Sequence, residues 1–145
     1  MNIQVATPAE LDKVVAALSA LIDKGHRIFL LSGPLGAGKT RLVQAFGEHA
    51  IVPEGISSPT FSLINAYDSA TYGVIYHMDL YRLEKAEDLV QIGLEEYLDS
   101  GNICFIEWPA VAASYLTPPY VRVEIAVDTH NIRIFNITTH DALDA

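Results

Sequence analysis

The octapeptide Gly33-Pro34-Leu35-Gly36-Ala37-Gly38-Lys39-Thr40 limits what this chain can fold into more than any other feature. It fits the pattern G-x-x-x-x-G-K-[ST]. Its flanks give that fit meaning. Arg27-Ile28-Phe29-Leu30-Leu31-Ser32 reads as a short buried strand, and Thr40-Arg41-Leu42-Val43-Gln44-Ala45-Phe46 reads as a helix. Strand, glycine-rich loop and helix form the setting of a phosphate-binding P-loop. Glycines let successive backbone N–H groups converge on one point, and a side chain there would block an approaching phosphate. The helix N-terminus adds unpaired donors and the positive end of a dipole. Lys39 can neutralise the outer phosphates of a nucleotide, and the Thr40 hydroxyl can ligate Mg²⁺.

A P-loop needs a sheet around it, and the rest of the chain supplies one. Thr7-Pro8-Ala9-Glu10 has the residues of a helix start, with Thr7 as cap, Pro8 in the first turn and Glu10 closing a capping box. Leu11, Val14, Val15, Leu18, Leu21 and Ile22 then recur at helical spacing, and Gly25 suits the helix end. The P-loop helix is expected to end near Gly47 to Ala50. Residues 51–60 read as a loop, with Pro53, Gly55, Ser57, Ser58 and Pro59 disfavouring regular structure. Phe61 to Tyr67 and Tyr72 to Asp79 read as two strands joined by a short connection at Asp68-Ser69-Ala70-Thr71, an antiparallel excursion from a parallel sheet. Glu84 to Asp99 is helical in pattern and acidic, with Gly93 as a break between two short helices. Ile103-Cys104-Phe105-Ile106 is a continuous apolar run ending at Glu107-Trp108-Pro109, as in a central strand. Val121 to Val127 and Ile132 to Ile137 form a last hairpin around Asp128-Thr129-His130-Asn131. The tail after His140 is expected to fray.

Composition narrows the class. A chain of 145 residues, half of them apolar, suits one domain spanning 1–145. No apolar run approaches a membrane span, and no secretory signal opens the chain, so no membrane association is expected. The single Cys104 lies in an apolar run, which suits a packed core residue in a reducing cytoplasm. The net charge of −9 lacks the electrostatic footprint of a direct nucleic-acid binder.

A P-loop also needs an acidic partner at the end of a neighbouring strand. Two carboxylates qualify. Glu107 follows four apolar residues, and Asp79 ends Val74-Ile75-Tyr76-His77-Met78, where alternation puts His77, Asp79 and Tyr81 on one face. Either carboxylate could ligate Mg²⁺, hold a metal-bound water or orient the attacking water. Ser58-Pro59-Thr60 lies where a switch-like segment reaches a γ-phosphate or its metal. Trp108 can cover a nucleotide or meet a partner, although a core aromatic near a strand end is the general case. Arg82 can touch phosphate or pair with the acidic helices. The five histidines show no metal-ligand spacing, so no zinc site is expected.

The blocks Gly33 to Thr40, Ser58-Pro59-Thr60-Phe61, His77-Met78-Asp79-Leu80-Tyr81-Arg82 and Ile106-Glu107-Trp108-Pro109, in this order and at these separations, resemble the bacterial TsaE family of small P-loop ATPases. The resemblance runs from the first helix to Trp108 at least and weakens beyond. It implies an α/β, P-loop NTPase-like three-layer fold with a mixed, partly antiparallel central sheet. It also implies binding and slow hydrolysis of ATP with Mg²⁺, in the service of the TsaB–TsaD pair. That pair makes threonylcarbamoyladenosine next to the anticodon of tRNA, so tRNA is met only through the complex. By the same carry-over Thr40 and Glu107 hold Mg²⁺, Asp79 is needed for hydrolysis and is a further candidate for the metal, and Lys39, Asp79 and Glu107 form the catalytic set. The nucleotide-binding set is Gly33, Pro34, Leu35, Gly36, Ala37, Gly38, Lys39, Thr40, Arg41, Thr60, Trp108 and Arg133, with residues near Thr7 to Ala9 approaching the base. Two other classes compete. A small-molecule kinase would close an arginine-bearing lid, and the five arginines here form no cluster. A guanine-specific regulatory switch would carry an Asn-Lys-x-Asp segment, which this sequence lacks.

Overall fold

The computed structural model describes residues 1–53, 55–56 and 63–141. Its organising element is β2 (Ile28–Ser32), the strand that feeds the P-loop. Parallel to it on either side lie β5 (Ile103–Glu107) and β6 (Tyr120–Val127). Beyond β5 come β4 (Gly73–Asp79), also parallel, and β3 (Ile64–Ser69), antiparallel to β4. Beyond β6 come β7 (Arg133–His140) and β1 (Asn2–Val5), each antiparallel to its inner neighbour. The order is β1-β7-β6-β2-β5-β4-β3. The sheet is mixed because β3–β4 and β6–β7 are hairpins, whose short connections only an antiparallel pair can use, and because β1 adds antiparallel to β7 from the far end of the chain. One of them turns at Asp128, whose Oδ1 accepts from the N–H of His130 and of Ile132, both at 2.8 Å.

Alternation along the inner strands builds a core on each face. Phe29, Leu31, Phe105 and Ile75 pack with Leu18 of α1 (Leu11–Asp23) and with Leu42 and Phe46 of α2 (Lys39–His49). Leu30, Cys104, Ile106 and Met78 pack with Leu89 of α3 (Glu87–Ile92) and Leu94 of α4 (Leu94–Leu98). Helices thus cover both faces, the three layers that the sequence suggests. Gly93 divides α3 from α4 at φ 74, a conformation that costs a side chain and ends the first helix. Burial pushes the Cys104 thiol up to about 12, as befits a core residue.

The boundaries depart from the sequence expectations in places. The helix predicted to open at Thr7 begins with a 3₁₀ turn, Pro8–Glu10, and α1 starts at Leu11. Its start is nonetheless capped, with the Glu10 carboxylate accepting from the N–H of Ala6 at 3.3 Å and of Thr7 at 3.2 Å. The first hairpin strand runs on through Asp68 and Ser69 instead of turning there. The reason is Ser69, whose hydroxyl donates to the Ala50 carbonyl at 2.5 Å and accepts from the N–H groups of Thr71 and Tyr72, so the strand ends two residues later. Strand β1 and the 3₁₀ segment Pro109–Tyr115 were not foreseen. Among the described residues no helix is long and apolar enough to cross a membrane.

Candidate functional site

The site forms where the parallel strands end. Leu31 of β2 lies opposite Glu107, and Asp79 of β4 lies opposite Glu107 on its other side. The P-loop leaves β2 at this edge, the crevice where open α/β sheets take their ligands. The loop's first glycine is dictated by a close approach: a Cβ on Gly33 would lie 2.7 Å from the backbone oxygen of Ile125 in β6. From β7, Arg133 braces the loop, donating through Nε to the Ala37 carbonyl at 2.8 Å and through the guanidinium edge to Gly36 at 3.3 Å.

Lys39 opens α2 with 5 % of its surface exposed. Its ammonium donates to the carbonyls of Gly33 and Pro34 and stands 3.9 Å from the centroid of the Trp108 ring. Burial lowers its pKa below the ordinary lysine value, and the charges of Glu107 and Asp79 oppose that shift. Trp108 reaches this position because its backbone adopts φ 57 directly after β5, and Tyr81 packs against it at 4.9 Å between centroids.

Glu107 is only 3 % exposed, yet its carboxylate is well held. The Thr40 hydroxyl stands 2.9 and 3.1 Å from its two oxygens and donates into the pair. His77 Nε2 lies 2.5 Å from Oε2. Each hydrogen bond to a charged group contributes about 1.5–3 kcal/mol, which offsets part of the cost of burying the carboxylate. Asp79 is half-buried at the cleft and accepts from the Tyr81 N–H at 3.1 Å.

Around these residues opens a cleft of about 550 Å³. Leu35, Gly36, Gly38, Lys39, Thr40, Arg41, Asp79, Glu107, Trp108 and Arg133 of the predicted set line it. Val5, Thr7, Pro8, Leu11 and Phe135 also line it and are mostly apolar, so the chain near Thr7 does reach the cleft. Gly33, Pro34 and Ala37 belong to the loop but not to the wall, and the Ala37 methyl is packed in the core. Arg82 is exposed and is not part of the wall. Thr60, with Ser58 and Pro59, lies outside the described residues. His77 was not among the predicted site residues, although alternation had put it on one face with Asp79.

The donor set suits a small hard cation. Thr40 and Glu107 present oxygen ligands within hydrogen-bond distance of each other, Asp79 stands on the adjoining strand, and Mg²⁺ prefers one or two carboxylates plus phosphate oxygens. Lys39 beside them can meet the anionic groups of the same ligand.

A family model, curated relatives and a solved structure all match this chain. The family model described as threonylcarbamoyl adenosine biosynthesis protein TsaE matches residues 5–135. A tRNA threonylcarbamoyladenosine biosynthesis protein TsaE of Rickettsia felis is 39 % identical over 131 residues, covering 90 % of this chain and 75 % of the relative. The Bacillus subtilis protein of the same name is 36 % identical over 116 residues, covering 79 % of this chain and 70 % of the relative. The crystal structure of Bacillus subtilis YdiB superposes with a TM-score of 0.74 at 27 % identity, covering 96 % of this chain and 84 % of that one.

Proposed function

This chain belongs to the TsaE family, whose proteins are named for tRNA threonylcarbamoyladenosine biosynthesis, and from that premise we propose that it is a Mg²⁺-dependent ATPase of that modification. The observation that carries the reading is the joining of Lys39, Thr40 and Glu107 at the N-terminus of α2, with Asp79 one strand away. Lys39 and the loop N–H groups hold the outer phosphates. Thr40 and Glu107 would hold the cation, which would supply charge neutralisation for the phosphate oxygens. Asp79 would help hold the cation or orient the attacking water. Leu35, Arg41, Trp108, Arg133 and Thr60 complete the nucleotide-binding set with the rest of the P-loop.

In this reading residues 1–145 act as one ATPase domain in the cytoplasm, with partners homologous to TsaB and TsaD. The net charge of −9 argues that tRNA is met through those partners. The test follows ADP release from ATP and Mg²⁺ by the protein alone, and threonylcarbamoyladenosine formation with the TsaB–TsaD pair. Slow hydrolysis alone and dependence of the modification on this chain are expected. Hydrolysis that needs an added phosphate acceptor, or a modification indifferent to this chain, would overturn the reading. Labelled tRNA should bind weakly to the lone protein at physiological salt and be retained when the pair is added.

A further inference from the structure

His77 lies in the middle of β4, fixed in register between Asn65 of β3 and Phe105 of β5. It is completely buried and takes no part in the cleft wall. Its Nε2 faces Glu107 Oε2 at 2.5 Å. A carboxylate oxygen accepts, so the imidazole N–H donates. Its other nitrogen, Nδ1, is buried without a hydrogen-bond partner among the described residues. A side chain kept there for packing would do better as an apolar residue of similar volume, which leaves no nitrogen unsatisfied. Among the described residues the polarity of His77 therefore serves one bond, the one to Glu107.

We infer that His77 is the positioning residue of Glu107, fixing its carboxylate from the strand side so that the oxygens meet the cation. The inference rests on the reading of Glu107 as a Mg²⁺ ligand. Thr40 approaches the carboxylate from the P-loop helix, whereas His77 approaches from a strand buried in the sheet. Glu107 is thus held between the element that carries the ligand and one that does not. Partners that orient a metal-binding carboxylate in this way commonly govern metal affinity.

The test titrates Mg²⁺ into the full chain saturated with a nonhydrolysable ATP analogue, with calorimetric detection. His77→Leu should raise the half-saturating Mg²⁺ concentration by about tenfold, while binding of the analogue without metal stays within twofold. His77→Gln carries an amide nitrogen near the place of Nε2 and should recover most of the loss. His77→Asn falls short of Glu107 and should not. The double variant His77→Leu with Glu107→Gln should be no weaker for Mg²⁺ than Glu107→Gln alone. An unshifted Mg²⁺ titration in His77→Leu, an equal loss without metal, or an Asn variant as good as Gln would overturn the inference. If His77→Leu does not fold, the Gln and Asn pair decides. Glu107→Gln separates the two levels: if it leaves the Mg²⁺ titration unchanged, the metal-ligand reading fails. If it shifts the titration and the His77 variants do not, only the role of His77 fails.

Discussion

The molecule carries its charge in two ways. On one face of the sheet, α3, α4 and their flanks place Glu84, Glu87, Glu95, Glu96 and Asp99 in solvent. At the strand ends, far fewer charges are involved, but Lys39 and Glu107 are 5 % and 3 % exposed, and His77, which bonds Glu107 from within β4, is fully buried. The acidic layer dominates the net charge and costs little, because water solvates it. The strand-end cluster hardly alters the net charge and is expensive, since each group must be bonded or paired. Placement, and not number, marks where a chain does its chemistry.

The contrast breaks most easily at Lys39. Lys39→Ala should weaken nucleotide binding by about 100-fold or more, because a charged phosphate partner disappears. Equilibrium titration with a fluorescent ATP analogue checks this, and wild-type affinity would remove the P-loop from the function. Next in size is Asp79→Asn, which should lower ATP turnover by about 10²–10³ while analogue binding stays within a few-fold. Unchanged turnover would take Asp79 out of the mechanism.

A subtler consequence concerns stability. Burial depresses the folded-state pKa of Lys39, so below that value the folded protein bears the cost of a buried charge. As pH rises through the folded pKa toward the ordinary lysine value, the unfolded chain holds the extra proton and the cost is relieved. Unfolding titrations at several pH values should therefore show wild type gaining on Lys39→Met as pH rises from neutrality toward 10.5. A constant gap would mean that the ammonium's bonds to Gly33 and Pro34 fully offset burial. The smallest effect belongs to the acidic layer. Reversing Glu95 and Glu96 to Lys should change stability by no more than ~0.5 kcal/mol and leave ATP binding within twofold. A large loss of ATP binding there would dissolve the distinction between the two regions.

Much of this was legible in sequence because local rules govern it. The apolar runs at Ile28 to Leu31 and Ile103 to Ile106 are the inner strands, and Gly93 breaks the acidic segment where expected. The two carboxylates could be placed because strand ends follow from runs of apolar residues. What escaped depends on register between distant segments. Strand β1 is too short to announce itself and exists by pairing with β7 across nearly the whole chain. Likewise His77 reads as one polar residue in an apolar strand. Only its alignment beside β5 brings it to Glu107, 30 residues away.

The stacking of Lys39 on Trp108 gives the molecule an optical signature. The chain holds a single tryptophan, and a cation stands over its indole face. The side chain best placed to meet phosphate is thus also the one that perturbs the only indole emission in the protein. A ligand that draws the ammonium off the ring alters that emission, so occupancy of the loop can be followed in the unlabelled molecule by light alone.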